Sequence, residues 1–256
     1  MKRILTFTNQ KGGVGKTTSA LNVAAELSRN GNKVLLIDVD PQGNLSKSLL
    51  PKDPESLKHT IFTLFLRECT LDDALLKVRE NLTLLPCYKR MAKFEQEFAS
   101  SADGVYILTD LLEFIHKQWK KKFDFVVIDT PPALGLITVN AFVASHEVFI
   151  PMHAQQYSVD GLKSVLEVIE TVQKRANKKL KVKGAFFTQH NLRLNISKDI
   201  VEYLDKNFKN VLMKNYIRVN VALRECVSLK QTAYEYAPSS HGAKDYKNLT
   251  QEILNA

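Results

Sequence analysis

One stretch of ten residues combines three glycines with two lysines and two threonines: Asn9–Thr18, with the sequence Asn-Gln-Lys-Gly-Gly-Val-Gly-Lys-Thr-Thr. Its glycines are Gly12, Gly13 and Gly15. Glycine adopts positive φ without strain and lets the backbone approach a ligand closely, and successive amides at a helix N-terminus form an anion-binding hollow. Lys16 can then reach β- and γ-phosphate oxygens, and the Thr17 hydroxyl can bind Mg²⁺. The stretch therefore predicts a nucleoside triphosphate site.

Two elements must position this loop. Arg3–Thr8 is a run of β-branched and apolar residues, which predicts a buried strand. Residues 17–29 repeat apolar side chains at helical spacing, and Gly31 follows them as a left-handed cap. A strand, a glycine-rich turn and a helix, in this order, are the context that a phosphate-binding loop requires.

Carboxylates follow two further predicted strands. Lys33–Ile37 leads into Asp38 and Asp40, and Phe123–Ile128 leads into Asp129. Ligands of open α/β sheets bind at the carboxyl ends of the strands, beside the phosphate loop. The last of these acids has the Walker B arrangement and can hold Mg²⁺ through water, so its strand is expected beside the first one in a doubly wound sheet. As an alternative, the first two acids only form a turn before a proline.

The remaining segments show no comparable chemistry. Leu71–Lys77 is expected to be a short helix, because Thr70 can cap it and two acids occupy its first turn. Leu82–Pro86 and Val211–Met213 are expected to be short strands.

The sequence resembles a known family at these motifs. Lys-Gly-Gly-Val-Gly-Lys-Thr-Thr is similar to the deviant Walker A loop of the ParA/MinD ATPases, and residues 9–18, 38–44 and 123–136 look like the chromosomal ParA (Soj) branch. The resemblance covers nearly the full length and is weak at 45–120. It implies an α/β fold with a doubly wound, mostly parallel sheet and helices on both faces, in a single domain over residues 1–256. It also implies a weak intrinsic ATPase with ATP and Mg²⁺ as cofactors.

The resemblance implies a role for each site residue. Lys11 would cross a dimer interface to the phosphates of the other subunit's ATP, although it could also be a solvated loop lysine. Asp40 would position or activate the attacking water, so the implied catalytic residues are Lys11, Lys16 and Asp40. Asp38 and Asp129 would support the Mg²⁺ shell together with Thr17. The implied ATP-binding residues are Lys11, Gly12, Gly13, Val14, Gly15, Lys16, Thr17 and Thr18, with Asn220 beside the adenine.

The net charge of +9 is unevenly placed along the chain. Residues 1–173 hold 20 basic and 20 acidic side chains, whereas residues 174–256 hold 16 and 7. This asymmetry indicates a surface that faces a polyanion, or else a solvated lysine-rich face. In the Soj branch a loop arginine binds DNA, and Arg193 matches it. Arg218 and Arg224 carry positive charge one or two positions away from the family's arginines, so they complete the expected DNA-binding set.

Together these features predict a DNA-partitioning ATPase in the cytoplasm, associated with the nucleoid. An ATP-bound homodimer would bind double-stranded DNA nonspecifically, and a ParB-like partner would stimulate hydrolysis and release. The alternative is a ParA-like ATPase that positions a non-DNA cargo, such as a protein cluster or a division site. An iron–sulfur reductase is disfavoured, because the chain's three cysteines do not stand at the positions of cluster ligands. No basic amphipathic C-terminal helix of the MinD type is visible, so no stable membrane anchor is expected.

Overall fold

The computed structural model describes residues 2–118, 123–155, 158–191, 202, 204, 206 and 211–255. Arg193, expected to contact DNA, lies outside the described residues.

Seven strands form one sheet, in the order β3-β4-β2-β5-β1-β6-β7. All neighbouring strands are parallel except β3 and β4, which are antiparallel. The strands are β1 (Arg3–Phe7), β2 (Val34–Asp38), β3 (Leu76–Arg79), β4 (Leu82–Leu85), β5 (Phe125–Asp129), β6 (Glu147–Met152) and β7 (Lys181–Phe187). The predicted fold class is confirmed, and β5 pairs directly with β1 as expected.

Helices cover both faces of this sheet. The longer ones are α1 (Lys16–Arg29), α6 (Ile107–Gln118), α7 (Leu136–Ala144), α8 (Ser158–Arg175) and the C-terminal α11 (His241–Asn255). The shorter ones are α2 (Asn44–Leu49), α3 (Ile61–Phe65), α4 (Leu71–Ala74), α5 (Phe94–Phe98), α9 (Ala222–Ser228) and α10 (Ala233–Tyr236), with 3-10 turns at Pro54–Ser56 and Lys89–Lys93. None of these described helices is long and apolar enough to cross a membrane.

Successive side chains of a strand point to opposite faces of the sheet, and β2 supplies both hydrophobic layers in this way. Leu36 packs in the layer formed with α1 and α11. Leu35 and Ile37 pack in the opposite layer, formed with α6 and α7. Because β2 is buried on both faces, its uninterrupted apolar sequence is what a central parallel strand requires.

The prediction of one helix over Leu71–Lys77 was wrong in its second half. The capping box between Thr70 and Asp73 is present, but the helix ends at Ala74 and is followed by β3. Residues of β3 pair antiparallel with β4, so a long-range ladder overrides the local helical signal. The strand predicted over 211–213 is reduced to a single parallel bridge between Leu212 and Ala185.

Candidate active site

The phosphate loop follows β1, and its last three residues, from Lys16 to Thr18, belong to the first turn of α1. Gly13 and Gly15 have φ of 74° and 81°, in the left-handed region that only glycine adopts without strain. Thr188, at the end of β7, donates its hydroxyl hydrogen to the Val14 carbonyl over 2.8 Å. This contact fixes the middle of the loop against the sheet, so the amides at the start of α1 are available to an anion.

Lys16 is buried at the start of α1. Its Nζ donates to the Lys11 carbonyl oxygen over 3.0 Å. Burial lowers the pKa of Lys16, and the nearby carboxylates of Asp129 and Asp40 act in the opposite direction. A desolvated ammonium of this kind interacts strongly with an anionic ligand, because little solvent screens it.

Lys11 lies exposed at the front of the loop. Its Nζ donates to Oε1 of Gln155 over 2.6 Å, and its backbone amide donates to Oδ1 of Asn9 over 3.0 Å. The side chain of Asn9 is itself fixed, since its Nδ2 donates to the Pro151 carbonyl over 2.8 Å. The front of the loop is therefore attached to the end of β6.

Asp38 is fully buried at the end of β2. Its Oδ1 accepts the Asp40 amide over 3.0 Å, and its Oδ2 accepts the amide and hydroxyl of Ser46 over 2.9 and 2.8 Å. Burial raises the pKa of Asp38 to about 7, although the hydrogen bonds from Ser46 lower it. In this structure Asp38 shapes the turn that carries Asp40.

Asp40 is buried, and its Oδ1 accepts the Gln42 amide over 2.9 Å. No described residue donates a hydrogen bond to its Oδ2. The turn beyond it needs glycine at position 43, where φ is +61° and a Cβ would lie 2.7 Å from the Cys87 carbonyl oxygen. The turn thus leaves one carboxylate oxygen of Asp40 available for another partner.

Asp129 ends β5 between β1 and β2, opposite Phe7 and Asp38. Both of its carboxylate oxygens are buried, and although the Thr17 hydroxyl lies near them, no described residue makes a well-formed hydrogen bond to either. Burial raises the pKa of Asp129 strongly and the charge of Asp38 adds to this, while Thr17 lowers it. An unpartnered buried carboxylate beside a threonine hydroxyl suits Mg²⁺, which prefers oxygen ligands and keeps several waters. The described residues hold no cluster of three or more His, Cys, Asp or Glu that could hold a metal unaided.

A cavity of about 130 Å³ opens beside the loop, next to Gly15 and Thr18. The implied adenine contact, Asn220, lines this cavity. Two of the implied DNA contacts, Arg218 and Arg224, line it as well. The Asn220 side chain accepts the Ala222 amide over 2.9 Å.

Arg218 forms an ion pair with Asp245 of α11. Its Nε and NH2 donate to the two carboxylate oxygens of Asp245 over 3.0 and 2.6 Å, and its backbone amide donates to the same side chain over 3.0 Å. Arg224 is exposed. Two of the three arginines expected to contact DNA are therefore in different environments, and the third, Arg193, lies outside the described residues.

Sequence reasoning missed the residues that support this site from outside the motifs. Ser46 links the β2 acid to the chain at Cys87, whose amide donates to its hydroxyl over 3.0 Å. Thr188 fixes the loop from β7, and Asp245 holds Arg218 from α11. Ser46 stands two residues beyond a motif, but no sequence signal marks Thr188 or Asp245 as a partner of this site.

The comparisons with known proteins agree with this geometry. A family model described as an AAA domain matches residues 2–182. The chain is 34% identical over 254 residues to the sporulation initiation inhibitor protein Soj of Bacillus subtilis, covering 99% of this chain and 98% of that protein. It is 33% identical over 255 residues to the chromosome-partitioning ATPase Soj of Treponema pallidum, with the same coverage.

Solved structures give the same result. Cobyrinic acid a,c-diamide synthase from Mycobacterium smegmatis, with bound ADP and magnesium, matches with a TM-score of 0.86 and 30% identity, over 100% of this chain and 95% of that one. A putative plasmid partition protein from Borrelia burgdorferi bound to AMPPNP matches with a TM-score of 0.84 and 26% identity, over 100% and 99%. The chain belongs to the ParA/MinD family of P-loop ATPases, with ATP and Mg²⁺ as its cofactors.

Proposed function

We propose that this protein is a DNA-partitioning ATPase of the Soj type, with a weak intrinsic rate of ATP hydrolysis. The observation that carries the proposal is the convergence of the phosphate loop, two lysines and the unpartnered Asp129 carboxylate at one edge of the sheet. The proposal is also supported by the 33% identity of the chain to a chromosome-partitioning ATPase over nearly its full length.

Each residue of the site has a role in this proposal. Lys16 exchanges the Lys11 carbonyl for phosphate oxygens when nucleotide enters, since a charged phosphate is the stronger acceptor. Thr17 and Asp129 hold the metal, the latter through water, with Asp38 beside it. Magnesium supplies neutralisation of the charge that develops on the phosphate oxygens. Asp40 accepts a hydrogen bond from the attacking water through its available Oδ2 and so orients it.

The proposal includes a homodimer closed by ATP. Lys11 is exposed on the loop's front, where a second subunit can approach. Reaching the phosphates of the other subunit's ATP would place a second ammonium on the transferred group, which stabilises its charge. ATP hydrolysis then removes the contact that holds the two subunits together.

DNA binding in this proposal is electrostatic and independent of sequence. The excess of 16 basic over 7 acidic side chains in residues 174–256 supplies the charge, with Arg193, Arg218 and Arg224 as contacts. Pairing two subunits doubles this surface, so DNA affinity reports the nucleotide state. A ParB-like partner stimulates hydrolysis and releases the dimer, in the cytoplasm at the nucleoid.

The test is co-sedimentation with a nonspecific duplex, with ATP, ADP or no nucleotide, at two salt concentrations. Binding is expected with ATP alone, and contact with about six phosphates gives a log–log salt slope of about −5. Lys16→Ala, which removes the phosphate-binding ammonium, is the negative control and should bind neither ATP nor DNA. Absence of DNA binding by the parent protein with ATP would leave an ATPase but refute partitioning on DNA.

One observation favours a second candidate, the positioning of a non-DNA cargo. Val219 and Val221 are 57% and 65% exposed beside the nucleotide cavity. Exposed apolar side chains suit contact with a protein more than with a phosphate backbone. A partner that binds this segment and stimulates hydrolysis without DNA would support this candidate.

A further inference from the structure

The residue Lys11 is held at three points by its own chain. Its amide donates to Asn9 Oδ1 over 3.0 Å, and its carbonyl accepts Lys16 Nζ over 3.0 Å. Its side chain ends on Gln155, with 2.6 Å between Nζ and Oε1. The proposed function requires this same ammonium to leave its own subunit.

The third contact is the one that fixes the direction of the side chain. Gln155 follows β6, and its backbone amide donates to the His153 carbonyl over 2.9 Å, which forms a tight turn. Asn9 is anchored to the same strand end through Pro151. The ammonium of Lys11 therefore lies along the β6 end of its own subunit.

We propose that Gln155 is a positioning residue that retains Lys11 in a resting position, so that the reach across the dimer begins with the loss of this hydrogen bond. The inference rests on the proposed function, because it concerns how that function's interfacial lysine is regulated. Nucleotide contributes to the release, since Lys16 leaves the Lys11 carbonyl when it turns to phosphate oxygens. ATP thus removes one of the three contacts before a second subunit removes another.

The strength of this retention depends on the residue type at position 155. Gln155 and Lys11 are both exposed, so a neutral amide contributes only about a two- to five-fold preference for the resting position. A carboxylate at this position would form an ion pair with Lys11 and retain it more firmly. Salt would weaken that ion pair more than it weakens the amide contact.

The test measures dimer formation by sedimentation velocity against the concentration of a non-hydrolysable ATP analogue with Mg²⁺. Gln155→Ala should lower the analogue concentration at half-maximal dimer by about two- to five-fold, because Lys11 is released. Gln155→Glu should raise it by a similar factor at low salt and approach the parent at high salt. The matched controls are Gln251→Ala and Gln251→Glu, on the exposed face of α11, which should behave as the parent.

Lys11→Ala tests the role of Lys11 in the dimer separately from its retention by Gln155. If it abolishes the dimer while both Gln155 variants behave as the parent, the retention is refuted and the proposed dimer stands. If both Gln155 variants weaken the dimer, this residue acts within the interface and the retention is likewise refuted. If Lys11→Ala dimerises as the parent does, the crossing lysine itself is wrong and the proposed function fails with it. Opposite shifts for Gln155→Ala and Gln155→Glu, with ADP affinity of the monomer unchanged, would support the inference.

Discussion

Asp38 and Asp129 are direct neighbours across the register of β2 and β5, yet their carboxylates have opposite surroundings. Asp38 accepts three hydrogen bonds from the turn that follows it. Asp129 accepts none from the described residues, although both of its oxygens are buried. One acid therefore organises the site, while the other has only the nearby Lys16 and Thr17 side chains to offset its charge and is open to a ligand.

Replacing Asp129 by Asn should stabilise the protein without nucleotide and remove its response to magnesium. A buried polar group without a partner costs about 1–3 kcal/mol and a charged group costs more, so the neutral amide should cost less than the carboxylate. We expect a melting temperature several degrees above the parent at pH 8 in EDTA. Addition of ADP and Mg²⁺ should then raise the parent's melting temperature far more than the variant's. Asp103→Asn, an exposed acid, is the control, and an unstabilised Asp129→Asn protein would contradict the metal-site assignment.

In metal-free protein, the contribution of Asp38 to stability should fall as the pH rises from about 4 to about 7. Burial raises the pKa of Asp38 to about 7, against about 3.9 in an unfolded chain. An acid with a raised pKa contributes its full stability below the unfolded value, and this is lost as the pH rises through the folded value. The free energy of unfolding in urea, parent minus Asp38→Asn, should fall by up to about 1.4 kcal/mol per pH unit in this window. A difference that is flat or rises with pH would refute the assignment.

Gly43→Ala should be much more harmful than Gly31→Ala. Both glycines have positive φ, of 61° and 83°, so either alanine costs about 1–2 kcal/mol in backbone strain. Only at Gly43 does a Cβ also meet backbone, at 2.7 Å from the Cys87 carbonyl oxygen, which brings the total to about 2–5 kcal/mol. Urea unfolding measures both costs. ATP hydrolysis should fall in Gly43→Ala alone, since its turn carries Asp40. Equal losses of stability in the two variants would contradict the backbone clash at Gly43.

Arg218→Ala should lower both stability and DNA binding, whereas Arg224→Ala should lower DNA binding alone. Asp245 is 7% exposed, so removal of Arg218 leaves a buried carboxylate and should cost about 1–2 kcal/mol of stability. Arg224 is exposed, so its removal should leave the melting temperature unchanged, weaken binding to all duplexes and reduce the salt slope by about 1. Thermal melts and salt titrations of duplex binding distinguish the two. The prediction fails if Arg218→Ala melts as the parent does.

Asp40→Ala should trap the ATP-bound dimer on DNA. The substitution removes the carboxylate that orients water but leaves the phosphate loop and both lysines in place. We expect ATP to give a lasting dimer by light scattering, with DNA retained after the parent has been released. A variant that remains monomeric with saturating ATP would refute the switch.

The sequence was sufficient for the features that local chemistry determines. The phosphate loop, α1 with its cap at Gly31 and the acid that ends β5 all follow from short motifs with a clear physical purpose. The sheet order around β1 also follows, because a Walker B strand pairs with the strand that precedes the loop.

Other features depend on partners distant in the sequence. The local signal for a helix at Thr70 is real, but Leu76–Arg79 pairs with β4 instead, and no property of those four residues specifies that ladder. The contact between Lys11 and Gln155 joins positions 144 residues apart. Such contacts arise only once the sheet order brings β1 and β6 together.

Two consecutive residues of α11 connect to opposite sides of the nucleotide site. Asp245 binds Arg218 at the cavity, while the Tyr246 hydroxyl lies 3.1 Å from that of Ser19 on α1, behind the phosphate loop. A single rigid helix therefore sets the spacing between the base and phosphate regions, whereas the turn carrying Asp40 is braced separately through Ser46. The phosphate loop and the turn that places water are therefore held by different side-chain hydrogen bonds, so a substitution at one of them can change the rate of hydrolysis more than it changes nucleotide binding.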